Sequence, residues 1–476
     1  MQPPFDDLRS FLTTLDAEKQ LLHIDRPVAL EPDLGAAGRA VANLDGKTAP
    51  ALLFENIDGF NDARVALNVH GSWANHALML GMSKTSTIKE QFFELEERWQ
   101  KFPIPVDRRS EAPWQEVTLT GDDINLFELL PVFRLNPGDA GPYIDKAAVI
   151  TRDSADPDNF GKQNVGLYRL QVKGPDHLGL QSAAPHDFGI HITNSDTMHQ
   201  GLPVAIAIGN DPILTLVAST PLEYDQSEYE MAGAWRGGVP YPIVKAPYTG
   251  LDVPWGSEIV IEGEVIYQAR EYEGPFGEFT GSYSGGRALP VVKVHRVHMR
   301  RKPIYEHLYL GQPWTEIDYL LALNTSVPLY RQLKEEFPEV EAVNAMYTHG
   351  LLNIISTRVR HGGFGRVVAL RLLTTPHGIG YSKIVIVVDE TVDPFNLEQV
   401  MWALTANVNP EFDAITIPRM YEIPLDPTGN PQGITSRLII DATTPKPPDI
   451  RGEFGTPVTA YPESANWERI LKEMIR

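Results

Sequence analysis

The sequence predicts a multidomain chain, α/β at both ends and β in the middle. Three observations carry this. Before about residue 110 helical and strand-like patterns alternate, and from 111 to 312 runs of high β-propensity dominate. Near the end, KIVIVVDE at 383–390 is a continuous apolar strand ending in acids, followed by the helical run NLEQVMWALTANV, the pattern of a βα unit in a buried parallel sheet. A length of 476 residues accommodates about three domains at roughly 150 residues each.

The first unit, 1–110, opens with a helix in which Leu8, Phe11, Leu12 and Leu15 recur at helical spacing. The runs ALLFENI (51–57) and ARVALNV (63–69) read as strands, and 88–100 as a helix with Ile88, Phe92, Phe93, Leu95 and Trp99 on one face. KFPIPVDRRSEAPW, rich in proline and charge, marks the exit from that unit. In the second unit NVGLYRLQV, LPVAIAIG, EIVIEGEVIY and LPVVKVHRVHM are bounded by Gly, Pro and Asp, which predicts an antiparallel barrel or split barrel. One helix interrupts it: SEYEMAGAWRGG has Ser227 and Glu230 in capping-box register and stops at Gly237. The third unit, 313–476, begins with a helix from Thr315 to Glu336. The helices carrying Trp99 and Trp402 read as core, and the proline-rich tail IIDATTPKPPDIRG reads as a segment wrapping a neighbour.

Composition removes several function classes. There are no cysteines, so disulfides, thiolate nucleophiles, thiolate-bound zinc and iron–sulfur clusters are excluded, and any metal must be held by oxygen or imidazole. A formal charge of −21 with no visible basic face argues against a nucleic-acid partner. No run approaches the roughly 20 apolar residues that span a bilayer, and no signal-peptide pattern opens the chain. A cytoplasmic enzyme is the expectation.

Chemistry concentrates in EYEGPFGEFTG, 271–281. Glu273 and Glu278 stand five apart with Gly274, Pro275 and Gly277 between them, which excludes a regular helix and predicts a tight turn. Two carboxylates on one turn repel, and with burial this raises at least one pKa toward the range useful to a proton donor. Arg169 of NVGLYRLQV, on the strand face opposite Tyr168, is the candidate that restrains them. At an effective dielectric near 20 and about 4 Å, such a contact is worth roughly 4 kcal/mol before desolvation. Asn164, His186 and Glu228 form a candidate oxygen and imidazole set for Mn²⁺ or Mg²⁺. The Gly-rich RHGGFGRVVALRLL, with Arg366 at its helix start, is a candidate phosphate cradle that fits neither a Rossmann nor a P-loop pattern. Each feature taken alone has a plainer reading. The turn reads as a solvated loop, Arg169 as a surface ion pair, Asn164 as a turn cap, His186 as a core histidine, and Glu228 as a macrodipole partner. His307 and His349 are isolated in sequence and read as core, with contact to a phenol as the alternative.

In combination, NVGLYRLQV, YDQSEYEMAG, DVPWGSEIVIEGE and EYEGPFGEFTG, in this order, resemble the UbiD family of reversible decarboxylases that use prenylated flavin mononucleotide (FMN). FGKQNVG, STPLEYDQSEYEMAGA, NAMYTHGL, LTTPHGIGYSKIVIVVDE and DPFNLEQVMWAL extend the resemblance over nearly the whole chain. They are most similar to the non-oxidative hydroxyarylic acid decarboxylase branch, whose large C subunit acts on 4-hydroxybenzoate, vanillate, protocatechuate or gallate. The resemblance implies an N-terminal α/β domain (1–110), a central flavin-binding split β-barrel (111–312) and a linker helix with a C-terminal α/β oligomerisation domain (313–476). It implies an Arg169, Glu273 and Glu278 network, with Leu167, Tyr168 and Arg169 lining the flavin. Asn164, Glu228 and His186 would hold Mn²⁺ against the flavin phosphate, with K⁺ beside it. Arg366 stands where many relatives have a lysine near that phosphate, trading a point donor for a planar fork.

The activity so implied is loss of CO₂ from a para-hydroxylated benzoic acid through a covalent adduct with prenylated FMN, with Glu278 protonating the vacated carbon and Glu273 and Arg169 tuning that proton and positioning the substrate. A flavin prenyltransferase would supply the cofactor, and the chain would form a homo-oligomer, dimer or hexamer. The competing classes are a metal-dependent hydrolase using the same Asn, His and Glu set, a flavin reductase, for which no dinucleotide fingerprint is present, and a non-catalytic subunit of a decarboxylase complex.

Overall fold

The computed structural model describes residues 3–182, 186–449 and 458–475. The end of the proline-rich segment IIDATTPKPPDIRG, 450–452, lies with 453–457 outside the described residues. The opening helix, Leu8–Ala17, is capped by Asp7, whose side chain accepts from the Ser10 N–H, and it buries Leu8, Phe11, Leu12 and Leu15. Strands Leu21–Ile24, Ala51–Phe54, Arg64–Leu67 and Ile304–Glu306 form one sheet. Its last strand comes from sequence distant by more than 200 residues, so the chain re-enters the first layer after the central one is built. Helix Ile88–Trp99 starts on a Thr87–Glu90 capping box and buries Phe92 and Leu95. Phe93 departs from the expected face and is 38% exposed, because it lies about 100° round the helix from Phe92.

The central sheet is antiparallel throughout. Its order is Tyr143–Ile144, Leu170–Gly174, His177–Leu180, Arg287–Met299, Ile259–Glu273, Leu202–Ile208, Ala147–Arg152, Gln163–Leu167, with Val117–Thr120 added against Arg287–Met299. The run NVGLYRLQV is therefore two strands instead of one. Gln163–Leu167 sits at one end of the order and Leu170–Gly174 next to the other, with only Tyr168 and Arg169 between them. Six strand spacings of about 4.8 Å would separate them by roughly 29 Å in a flat sheet. Three Cα steps of about 3.8 Å reach at most roughly 11 Å. The sheet must curl, and Tyr168 and Arg169 are taken out of the ladder where its ends approach. Among the described residues no ladder joins those ends, so the curl stays open.

The helix Glu228–Trp235 forms as expected, without its capping box: the Ser227 hydroxyl is buried and makes no hydrogen bond. The Glu228 carboxylate takes the helix N-terminus instead, accepting from its own N–H and from Val165 N–H at 3.3 Å. The segment from Thr315 to Glu336 is likewise two helices, Glu316–Leu320 and Leu323–Glu336, broken where Ala322 leaves helical geometry (φ −89°, ψ −84°).

The last sheet is ordered Val340–Tyr347, Leu352–Thr357, Ile384–Asp389, Ile434–Asp441, Ala414–Tyr421. Its inner three strands are parallel and its outer pairs antiparallel. Ile384–Asp389 and helix Leu397–Asn407 make the predicted βα unit. That helix buries Val400 and Ala403 and leaves Leu397, Met401 and Trp402 exposed, so Trp402 (56% exposed) is not core. Among the described residues no helix is long and apolar enough to cross a membrane.

Candidate active site

Glu273 ends the long strand Ile259–Glu273, and the chain then turns sharply. Gly274 has φ +87°, a conformation that favours glycine, and a side chain there would press on the Gly285 carbonyl at 3.0 Å. Hydrogen bonds pin the turn from outside: Gly277 N–H donates to Asp139 Oδ1 (2.8 Å), Ala140 N–H to Pro275 O (2.8 Å), and Glu278 N–H to Ser282 O (3.0 Å). This rigid bend faces inward. Glu273 is fully buried and Glu278 and Arg169 nearly so, which removes the solvated-loop and surface-pair readings.

Arg169, freed from the ladder at the sheet's crossover, reaches both acids. Its Nε donates to Glu273 Oε1 at 3.0 Å and its Nη2 to Glu273 Oε2 at 2.9 Å, while Nη1 contacts Glu278 Oε1. Nη2 also reaches Ser284 Oγ at 3.3 Å, and the guanidinium lies over the Phe276 ring, 5.0 Å from its centre. One cation thus serves two carboxylates away from water, where each charge interaction is stronger than at a surface.

The second cluster surrounds Tyr168, whose ring lies 5.0 Å from Phe188 and 6.4 Å from His186. Its hydroxyl interacts with Asn164, and Asp187 and Glu228 add to the burial that pushes the phenol's pKa up. Burial, followed by the nearby Asp187, holds the Glu228 carboxyl well above the usual range. Burial and Glu223 push Asp187 up to about 6. No described cation pairs with Glu228 or Asp187, and the buried Asn164 amide nitrogen has no partner. The Glu228 carboxylate, held by two N–H groups and no cation, and the Asn164 carbonyl oxygen are hard donors of the kind a divalent cation takes, although no three His, Asp or Glu side chains converge among the described residues. His186, at the start of helix Asp187–Thr197, reaches the Tyr381 hydroxyl at 3.4 Å.

Tyr381 belongs to a third group that residue order conceals. It stacks on His377 (4.5 Å, 2°) and meets His349 edge-on (4.4 Å), and His349 in turn meets Phe279, next to Glu278, at 5.9 Å. His377 and Tyr381, four apart in PHGIGY, share one helical face, which is the signal that would have found them. His307 is a core residue against Asp145, Phe133 and Tyr305. Arg366 binds Phe412 O (2.8 Å) and pairs with Asp413 and Asp441, and no described contact joins it to Asn164, His186 or Glu228. Leu167 packs against the main core and donates its N–H to Ala218 O at 2.9 Å.

Residues 12–95, 106–313 and 318–442 match the N-terminal, Rift-related and C-terminal domain models of 3-octaprenyl-4-hydroxybenzoate carboxy-lyase, UbiD. The chain is 57% identical over 472 residues to a phenolic acid decarboxylase of Bacillus subtilis, covering 99% of both chains. It superposes on the vanillic acid decarboxylase of Sedimentibacter hydroxybenzoicus in its closed form with a TM-score of 0.93, at 54% identity and over 100% of each chain. An evolved dimeric form of the UbiD-class enzyme HmfF from Pelotomaculum thermopropionicum, in complex with prenylated FMN, matches with a TM-score of 0.82 at 26% identity, covering 97% of this chain and 98% of that one. Family models spanning most of the chain and relatives this close leave one assignment: the chain belongs to the UbiD family of carboxy-lyases.

Proposed function

We propose that this carboxy-lyase removes CO₂ from a para-hydroxylated benzoic acid of the 4-hydroxybenzoate, vanillate, protocatechuate or gallate type, reversibly and without net oxidation, using prenylated FMN. The observation that carries the reading is Arg169 held between two buried carboxylates on a rigid turn, in a chain so similar to named phenolic acid and vanillic acid decarboxylases.

Loss of CO₂ from an aromatic ring leaves charge on an sp² carbon that no side chain accommodates. A bound prenylated FMN supplies the electron sink. Leu167, Tyr168 and Arg169, at the crossover of the curled sheet, would line it, and Asn164, Glu228 and His186 would hold Mn²⁺ toward its phosphate end, with K⁺ beside it. His186 completes these candidate cofactor contacts, and Arg366 would have to leave Asp413 and Asp441 to join them.

The rest is the work of the chain itself. Arg169 binds the substrate carboxylate by charge-assisted hydrogen bonds, for which its guanidinium must loosen from one of its acids. Glu278 carries the proton that replaces CO₂ on the ring carbon, and Glu273 holds Arg169 in place until the substrate arrives. The buried site excludes water that would otherwise compete for the vacated position. In the reverse direction Glu278 takes that proton back.

The open curl of the central sheet is read as a split barrel within a three-unit chain, 1–110, 111–312 and 313–476. A homo-oligomer built through the last unit, a cytoplasmic setting and a flavin prenyltransferase as cofactor supplier complete the reading. The test is product analysis of the flavin-loaded protein against the four acids named above. Release of CO₂ with the matching phenol supports it, and a loaded protein inert toward all four refutes it.

A further inference from the structure

The Glu273 carboxylate has a neighbour that the reaction scheme leaves unused. Tyr143 lies in the two-residue strand Tyr143–Ile144, paired with Gln171 and Leu170 at the edge of the central sheet. It is fully buried, and its backbone is fixed by Phe133 O (3.3 Å) and by the Tyr305 hydroxyl, which donates to Tyr143 O at 3.1 Å. Its ring packs 4.5 Å from Phe276, the same ring that carries the Arg169 guanidinium on its face. The hydroxyl lies within reach of Glu273: burial first, and then the Glu273 charge, push the phenol's pKa up, a side-chain contact with Glu273 and the Asp139 charge add to this, and Arg169 opposes it. That contact falls short of a hydrogen bond of ordinary geometry. A buried phenol without a partner is costly, and almost all such groups in folded proteins find one.

The arrangement around Glu273 explains why the bond is open. Both of its oxygens are engaged by Arg169, so the carboxylate gains little from a further donor while that pair is intact. Asp139 cannot take the guanidinium's place, being an acid already committed to the N–H groups of Asn136 and Gly277. Ser284 Oγ accepts from both Arg169 and Phe276 N–H. Tyr143 is the neutral donor in reserve.

We propose that Tyr143 is a positioning residue for Glu273: its hydroxyl closes on that carboxylate when Arg169 turns toward the carboxylate of a bound aromatic acid. This rests on the reading of Arg169, Glu273 and Glu278 as the reaction centre. The consequence is a hand-over. Without Tyr143, moving Arg169 to the substrate would strand a buried carboxylate, so Arg169 would stay with Glu273 and the productive geometry would be rarer. A hydrogen bond to a charged group is worth enough to make that geometry about ten- to a hundredfold less populated when it is removed.

The experiment compares wild type, Tyr143→Phe and Glu278→Gln, all loaded with prenylated FMN, on 4-hydroxybenzoate and vanillate. For Tyr143→Phe the expected result is a kcat/KM lower by about ten- to a hundredfold, with the flavin spectrum and thermal midpoint unchanged. A kcat/KM within about threefold of wild type overturns the proposal, and so does a loss shared with a lost flavin or a lowered midpoint, which would mark a packing role. Should Tyr143→Phe fail to fold, 3,5-difluorotyrosine at position 143 keeps the shape and strengthens the donor. A kcat/KM that this replacement shifts supports the hand-over, and an unchanged kcat/KM overturns it. Full activity of Glu278→Gln would defeat the reaction scheme itself, whereas an inactive Glu278→Gln beside an unaffected Tyr143→Phe defeats only the role given to Tyr143.

Discussion

Arg169 and Glu273 form a two-bonded ion pair, 3.0 and 2.9 Å, between residues 104 apart in sequence, and the guanidinium has a third nitrogen left for Glu278. The pair exists because two distant breaks in strand geometry coincide: the crossover at 168–169 and the turn at 274–277.

Removing the cation leaves two buried acids uncompensated. Arg169→Met is expected to destabilise the protein by about 3–5 kcal/mol at neutral pH, the cost typical of breaking a buried pair from one side. Adding Glu273→Gln should recover part of that stability with no recovery of turnover. Urea denaturation of the two variants checks this.

Burial and Asp187 hold the Glu228 carboxyl well above the usual range, and no described cation offsets them. Glu228→Gln is expected to leave the metal-free protein at least as stable as the parent, and under the proposed metal assignment Mn²⁺ is expected to raise the thermal midpoint of the parent but not of this variant. Melting curves in EDTA and in Mn²⁺ measure both.

Acid should unfold the protein from two causes with the same sign. His76 is buried with both ring nitrogens unpartnered, and burial with the nearby His70 lowers it from 6.5 to about 3. The unfolded chain therefore binds a proton the folded chain refuses, and stability falls as pH drops from 6.5 toward 3. Glu316 is lowered from 4.5 to about 2: burial pushes it up, but Lys146 at 2.6 Å and His70 outweigh that. Its contribution is present above 4.5 and lost toward 2. Urea midpoints at pH 7, 5.5 and 4 should decline in step, and His76→Gln should flatten the upper part of the decline.

The exposed apolar face of helix Leu397–Asn407, with Leu397, Met401 and Trp402 between 46% and 56% exposed, is expected to sit at a subunit interface. Trp402→Glu should reduce the assembly size seen by light scattering and leave the far-ultraviolet spectrum unchanged.

Local chemistry was legible in the sequence, and long-range geometry was not. The glycines and proline between Glu273 and Glu278 announce a turn whatever surrounds it, and the helix-side pattern of Leu8, Phe11, Leu12 and Leu15 buries as read. NVGLYRLQV has uniform β-propensity, so nothing in it marks Tyr168 and Arg169 as the point where a curled sheet brings its ends together. That is a property of strand order. Ser227 and Glu230 hold capping-box spacing, yet Glu228 takes the helix end. Trp402 looks like core because composition records how apolar a helix is without saying whether another surface covers it.

The most direct measurement is CO₂ release from 4-hydroxybenzoate or vanillate by Glu278→Gln against wild type, both confirmed by absorbance to carry prenylated FMN. Turnover lower by at least about a hundredfold, with substrate still bound, is the predicted result for a lost proton donor. Turnover within about threefold of wild type would contradict the assignment of that proton to Glu278.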